Sequence, residues 1–224
     1  MGQSHVPATR RPPTLPVLLL GAGGFAEEVA DLVSDCPGFE VAGFVESRDR
    51  SRCEQPLAGR PVHWIDEIGA FAGTHLACCA LGTTDRAEFT RQVEEAGLAF
   101  ATIVHPSAHV SRTAVLDAGV LVGAAVVVGA YAHVGNHTIL NRGVLVGHHV
   151  EIGSHVSVMP GANIAGFAVV GDQAYVGMGA LVLNNRRVGA QAVIGAGSVV
   201  TKDVSTGTTV VGVPARAMDA AAVE

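Results

Sequence analysis

The sequence predicts two units in tandem: a small α/β unit built on a parallel sheet, then an all-β stack of short parallel strands with three sides. Three observations carry this reading. The first hundred residues alternate short apolar runs with helical patterns. From Val104 onward a Val, Leu or Ile recurs at every sixth residue for seventeen successive positions, ending at Val200. Composition agrees: 49% hydrophobic and 28 Gly in 224 residues, with only 15% charged and 4% aromatic. Such a chain is too apolar for disorder and too rich in Gly and Val for a long helical bundle.

In chain order, residues 1–14 carry Arg10, Arg11 and three prolines and read as a flexible tail. Residues 16–20 form a buried strand, 24–34 a helix, 40–45 a second strand, 75–81 a third, 84–97 a second helix and 99–104 a last strand. Strands alternating with helices imply a parallel sheet with crossover helices. Over residues 15–103 this is a reduced doubly wound fold.

The second unit, residues 104–218, keeps a period of six, which is neither the helix period nor a simple strand alternation and so marks a repeat architecture. Four residues after each repeat position stands a small or β-branched residue, from Ala108 to Val204, Arg186 alone excepted. One hexad makes a short strand and a bend, with one large and one small side chain turned inward. Nine of the seventeen positions are followed by Gly, expected to ease the corner. Three hexads close a triangular coil, and the repeats stack to roughly 27 Å at ~4.8 Å per layer. Residues 219–224 read as a C-terminal tail.

Several functions are excluded. A net charge of −6 and a pI near 5.9 leave no basic footprint for nucleic acid. Mean hydropathy is positive, +0.39, yet the longest apolar uncharged stretch, residues 118–132, is interrupted by Gly and short of the ~18–20 residues that span a bilayer. Residues 1–16 lack the apolar core of a signal peptide. The four cysteines, Cys36, Cys53, Cys78 and Cys79, show no CxxC spacing and are expected as reduced thiols in a cytoplasmic protein.

The V-G-x-x-V/A-x hexads, closing on Gly212-Val213-Pro214-Ala215-Arg216, resemble the hexapeptide-repeat acyltransferases, which form a left-handed parallel β-helix. Leu18-Leu19-Leu20-Gly21-Ala22-Gly23-Gly24-Phe25-Ala26, Gly43-Phe44-Val45-Glu46 and Ala80-Leu81-Gly82 narrow the match. Together the halves resemble the nucleotide-sugar and sialic-acid acetyltransferase family, in which a small Rossmann-like domain precedes the β-helix. The resemblance covers residues 15–218. It implies a homotrimer with active sites between neighbouring β-helices, acetyl-CoA as co-substrate, no metal, and acetylation of a nucleotide-linked amino sugar or of sialic acid.

Gly21 to Ala26 fits G-x-G-x-x-[GA] between a strand and a helix, where glycines permit a tight turn and helix-start amides face a phosphate. Glu46 sits where a ribose-binding acid would lie. The unit is too small for a dinucleotide fold, so it suits one nucleotide. The resemblance implies that Gly23, Gly24, Phe25, Glu46, Ser47 and Gly82 surround a nucleotide sugar, although many relatives carry His in place of Phe25.

Five histidines, His133, His137, His148, His149 and His155, crowd into 23 residues. Gly147-His148-His149-Val150-Glu151-Ile152-Gly153 resembles the family's His-acid-x-x-Ile-Gly stretch, whose first His is the general base. His148 stands third in its hexad, on a corner, and imidazole titrates near neutrality. The family's acid is replaced here by His149. His137 and His155, 18 residues apart, share a corner of adjacent coils and are candidates for the inter-subunit groove. The resemblance also implies acetyl-CoA contacts at Ser157, Gly166, Met178, Asn184 and Ala196, with backbone amides near Gly166 suited to an oxyanion. Arg186, Arg187, Lys202 and Arg216 are candidates for CoA phosphates. Three alternatives stay open: sialic acid O-acetylation, a non-catalytic nucleotide-binding trimer, and a carbonic anhydrase-like hydrolyase with three imidazoles on zinc.

Overall fold

The computed structural model describes residues 14–84 and 86–218; the expected tails over 1–13 and 219–224 lie outside the described residues. The first unit is a five-stranded, all-parallel sheet. Its strands are β1 (Leu15–Leu20), β2 (Phe39–Glu46), β3 (Val62–Trp64), β4 (Leu76–Cys79) and β5 (Ala99–Phe100), in the order β3-β2-β1-β4-β5. Helices α1 (Gly24–Ser34) and α2 (Ala87–Glu95) make the crossovers.

The run Val17-Leu18-Leu19-Leu20 is completely buried because both faces of the sheet are covered. Val17 and Leu19 pack with Ala26, Val29 and Val33 of α1; Leu18 and Leu20 pack with Phe89 and Val93 of α2 and with Ile68. The α1-side core continues through Ile103, Leu121 and Ile139 into the second unit. Burying each large aliphatic side chain contributes about 1.5–3 kcal/mol, so this shared core fixes the first unit on the second.

Two expectations change. The strand expected over 99–104 is two strands, because Ala99 pairs with Leu76 whereas Ile103 pairs with Leu121. The second helix is shorter than 84–97, and Val62–Trp64 with the 3₁₀ segments Arg50–Glu54 and Ile65–Phe71 occupies a stretch whose sequence shows no clear period.

The second unit is a three-sided parallel β-helix in which each residue pairs with the one 18 further on, as in Val127↔Leu145↔Asn163↔Leu181↔Val199. One face begins with Ile103–Val104, Leu121–Val122 and Ile139–Leu140 and lies under the first unit. A second begins with His109–Val110 and Val127–Val128, and a third with Val115–Leu116 and His133–Val134. Inside, repeat residues such as Val122, Val128, Val134, Leu140 and Ile164 are fully buried with small partners such as Ala162, Ala168 and Ala174. Arg186, the exception to the small-residue rule, reaches outward to Asp203, 3.7 Å away.

At most corners one residue, the fourth of its hexad, takes a positive φ. These residues stack in three vertices. The first holds Ala125, Gly143, Gly161, Gly179 and Gly197; the second Tyr131, His149, Phe167 and Asn185; the third Gly119, His137, His155, Gln173 and Gln191. The glycines that follow the repeat residues therefore serve a purpose other than the expected one. They do not turn the corner. A Cβ on Gly171 would stand 2.6 Å from the Ala190 amide nitrogen, and one on Gly177 2.6 Å from the Ile194 carbonyl oxygen. Their hydrogen lets successive coils close to hydrogen-bonding distance.

Gly171→Ala is accordingly expected to cost about 1–3 kcal/mol through overpacking against the next coil, read as a fall in Tm. Gly24→Ala, whose Cβ would meet nothing within 4 Å, is the control and should leave Tm unchanged.

Candidate functional site

The turn from β1 into α1 and the loop after β2 enclose a cleft of about 250 Å³ lined by Gly21, Ala22, Gly23, Glu46, Ser47, Arg48, Asp49, Arg52, Leu81, Thr83 and Phe89. This lies at the carboxyl ends of β1, β2 and β4, where open α/β sheets bind ligands. Gly23 caps α1 with no side chain of its own, so the first amides of the helix stay clear. Glu46 is buried, and its Oε1 accepts hydrogen bonds from the amides of Ser47 (2.9 Å), Arg48 (2.8 Å) and Asp49 (3.4 Å). Glu46 thus shapes the loop. Arg52 donates to the Ala22 carbonyl at 2.8 Å and stands half-exposed at the rim, 3.7 Å from Asp49 and 3.9 Å from Glu46.

Of the residues expected here, Gly23, Glu46 and Ser47 line the cleft, and Gly24 is exposed next to Gly23. Phe25 and Gly82 do not line it. The Phe25 ring packs on the α1-side core, 3.8 Å from where a Cβ on Gly82 would be. An apolar ring gains more from that core than from a hydrated cleft. Arg48, Arg52, Thr83 and Phe89 were missed in the sequence because no short-range pattern marks them.

The second group stands on the second vertex of the β-helix. His148, Gly166 and Asn184 are 18 residues apart, each third in its hexad, and so occupy consecutive coils of one column. His148 and His149 are exposed. Their Nδ1 atoms lie 3.1 Å apart. The Nε2 end of His148 lies over Gly166, where a Cβ would be only 2.8 Å from it, so glycine is what leaves room for the ring. His149 is stacked on Phe167 at 4.8 Å and 18° and stands 4.9 Å from Tyr131, while His148 meets Phe167 edge-on at 5.0 Å. The arrangement can take a proton at an exposed imidazole beside backbone free of side chains.

Met178 and Ala196 also stand third in their hexads, but on the first vertex, where Met178 is exposed. Ser157 is misplaced by the sequence reading. It is completely buried, its Oγ accepting a 2.8 Å hydrogen bond from Arg86, and cannot reach a thioester at the surface. Arg86, itself 0% exposed, also donates to the carbonyls of Thr83, His137 (3.0 Å) and Val156 (2.7 Å). It bolts the start of α2 to the β-helix.

His137 and His155 do stack, 4.9 Å apart, against α2, and with Thr90 and Glu94 they line a cleft of about 300 Å³. His137 Nε2 meets Glu94 at 3.3 Å and His155 Nε2 meets Thr90 Oγ1 at 3.0 Å. Packing against α2 buries His137 and half-buries His155, which the repeat spacing alone leaves exposed. With His133 on Asp117 at 3.0 Å, the histidines are engaged pairwise. Among the described residues no three His, Cys, Asp or Glu side chains are placed to hold one metal ion. All four cysteines are free, and burial pushes the Cys78 thiol far up. No helix among the described residues is long and apolar enough to cross a membrane.

Comparison with known proteins adds to this geometry. Residues 16–86 match the family described as the PglD N-terminal domain. Perosamine N-acetyltransferase from Caulobacter crescentus, solved as a histidine-to-asparagine variant with CoA and GDP-perosamine, is 29% identical; the match covers 91% of this chain and 97% of that one, with a TM-score of 0.85. The acetyltransferase domain of PglB from Neisseria gonorrhoeae FA1090 is 26% identical over 91% of this chain and 99% of its own, with a TM-score of 0.82. WeeI from Acinetobacter baumannii AYE is 26% identical over 92% of this chain and 100% of its own, again at 0.82. No curated protein sequence matches the chain. The resemblance read from the motifs is borne out: both halves are shared with nucleotide-sugar acetyltransferases of the hexapeptide-repeat type, a Rossmann-like domain on a left-handed parallel β-helix.

Burial of His155, with the neighbouring His137 and Arg86 adding repulsion, pushes its pKa from 6.5 down to about 4. The unfolded chain therefore takes up that proton first, and stability is lost as the pH falls from 6.5 towards 4. Replacing the ring in His155→Gln should flatten this part of the Tm-against-pH curve; an unchanged slope would contradict the assignment.

Proposed function

We propose that the protein moves an acetyl group from acetyl-CoA to the amino group of a nucleotide-linked amino sugar. Residues 15–103 serve as the nucleotide-sugar-binding domain and 104–218 as the acyltransferase domain. The observation that carries the reading is the second vertex, where an exposed imidazole faces a glycine-lined stretch of backbone. The similar Caulobacter and Neisseria proteins, solved with CoA and GDP-perosamine or with acetyl coenzyme A, support it.

In this reading the sugar amine attacks the thioester carbonyl while His148 Nε2 takes the proton the nitrogen must shed. Backbone amides near Gly166 hold the tetrahedral oxyanion. The C–S bond then breaks, and the proton on Nε2 passes to the departing thiolate, giving free CoA and the N-acetyl sugar. No covalent enzyme intermediate arises. Asn184 below the same column, with Met178 and Ala196 on the first vertex, are assigned to acetyl-CoA. In the cleft, the α1 amides beside Gly23 and Gly24 and the rim cation of Arg52 suit a phosphate, and Ser47 a sugar or ribose hydroxyl.

The molecule works as a homotrimer. The first unit covers the face between the first and third vertices, with Arg142 and Glu28 paired at 2.7 Å on one side and α2 seated on the other. His148 stands on the opposite vertex, so one chain alone separates its base from its nucleotide cleft. The second face, which nothing among the described residues covers, carries an outward ladder of Val127, Leu145 and Leu181, each about two-fifths exposed at 39%, 42% and 39%. A neighbour packed there buries the ladder and brings a cleft to His148. Free thiols and the use of acetyl-CoA fit the cytoplasm.

His148→Ala should lower kcat about 10²–10⁴-fold with the oligomer intact, measured as thiol release from acetyl-CoA across 4-amino and 3-amino nucleotide sugars. An unchanged kcat removes His148 from the chemistry. Leu145→Glu should yield monomers by light scattering and lose activity with them; an active monomer contradicts the shared site.

A further inference from the structure

In the family this chain resembles, an acid follows the catalytic histidine. Here the following residue is a second imidazole, and its geometry gives it a task. His149 has a positive φ of 57°, the conformation that Tyr131 and Phe167 adopt one coil before and one coil after it (φ 60° and 61°). Its ring is held between those two aromatic side chains at 4.9 and 4.8 Å. Within that sandwich its Nδ1 is directed at His148 Nδ1, 3.1 Å away. At such a distance one of the two nitrogens must carry the hydrogen and the other accept it.

Resting on the acetyl-transfer reading, we propose that His149 is the positioning residue for His148: it accepts the hydrogen bond from His148 Nδ1–H and so keeps the lone pair of His148 on Nε2, over Gly166. The reverse arrangement would place the hydrogen on Nε2 and leave the attacking amine no acceptor. When Nε2 takes the substrate proton, the charge on His148 is stabilised by a neutral dipole at Nδ1 in place of a carboxylate.

The test separates stacking from hydrogen bonding. His149→Phe keeps an aromatic ring at a corner where aromatic residues already take the left-handed conformation, but removes the acceptor. It should lower kcat about tenfold, leave KM for acetyl-CoA unchanged, and move the acidic limb of the kcat/KM profile to lower pH. His149→Asn, which tolerates the same conformation and offers a carbonyl oxygen, should restore at least half of the lost log kcat. Nitrogen NMR of imidazole-labelled protein at pH 8 should show His148 protonated on Nδ1 in the native chain and as a mixture of tautomers in His149→Phe. An unaltered pH profile in the Phe variant, or an Nε2-protonated His148 in the native chain, overturns the proposal. If no amino-sugar nucleotide supports thiol release, the acetyl-transfer reading fails, and the NMR result still decides the tautomer.

Discussion

Everything in the second unit follows from one constraint: each strand residue must find its hydrogen-bonding partner 18 positions away, in the coil above or below. With strands of two residues, no local pairing can satisfy the backbone, so the ladder between coils does so. That ladder demands coils about 4.8 Å apart, and the glycines after the repeat residues answer the demand, since any Cβ there meets backbone at 2.6–2.8 Å at Gly171, Gly129 and Gly123. It also demands sharp corners, which single residues with positive φ provide, many of them His, Gln, Asn or aromatic. Left-handed conformations cost of order 1–3 kcal/mol each and persist where the surroundings over-determine them; here the coils on both sides do so.

The same ladder turns sequence into columns. A residue type placed at one hexad position recurs in space directly above its counterpart three hexads earlier, which is how Tyr131, His149 and Phe167 become a stack and how His148 comes to stand over Gly166. The two histidine columns show how strongly context acts on identical geometry. On the third vertex α2 descends, and burial beneath it, with repulsion from Arg86, depresses the proton affinity of His137 and His155 against the opposing pull of Glu94 on His137. On the second vertex nothing among the described residues descends, and His148 and His149 stay at the surface.

Much of this was legible in the sequence. The period of six fixed the inward residues and the third-place corner of His148, and arithmetic on 18 gave the pairing of His137 with His155. The Gly21–Ala26 turn gave the cleft and its helix start. What could not be read were contacts between units far apart in the chain. Arg86 is one arginine near the start of an expected helix until α2 is set on the β-helix, and Ser157 reads as a surface residue until Arg86 covers it. Phe25 illustrates a subtler failure: its place in the motif is that of a ligand contact, but its apolar ring follows the core. The corner residues were a missed signal within reach, since the fourth places of the hexads are rich in Gly and His, residues that most readily bend backward.

The triangular winding also restricts how such a chain can change its length. Adding or removing one hexad rotates everything downstream by a third of a revolution, carrying a histidine from the open edge to beneath the helix that seats on another. Only whole coils can be gained or lost between the first unit and His148 without dismantling the relation between them. Insertions of other sizes have to bulge outward at a corner, so the corners are also where this architecture is free to diversify.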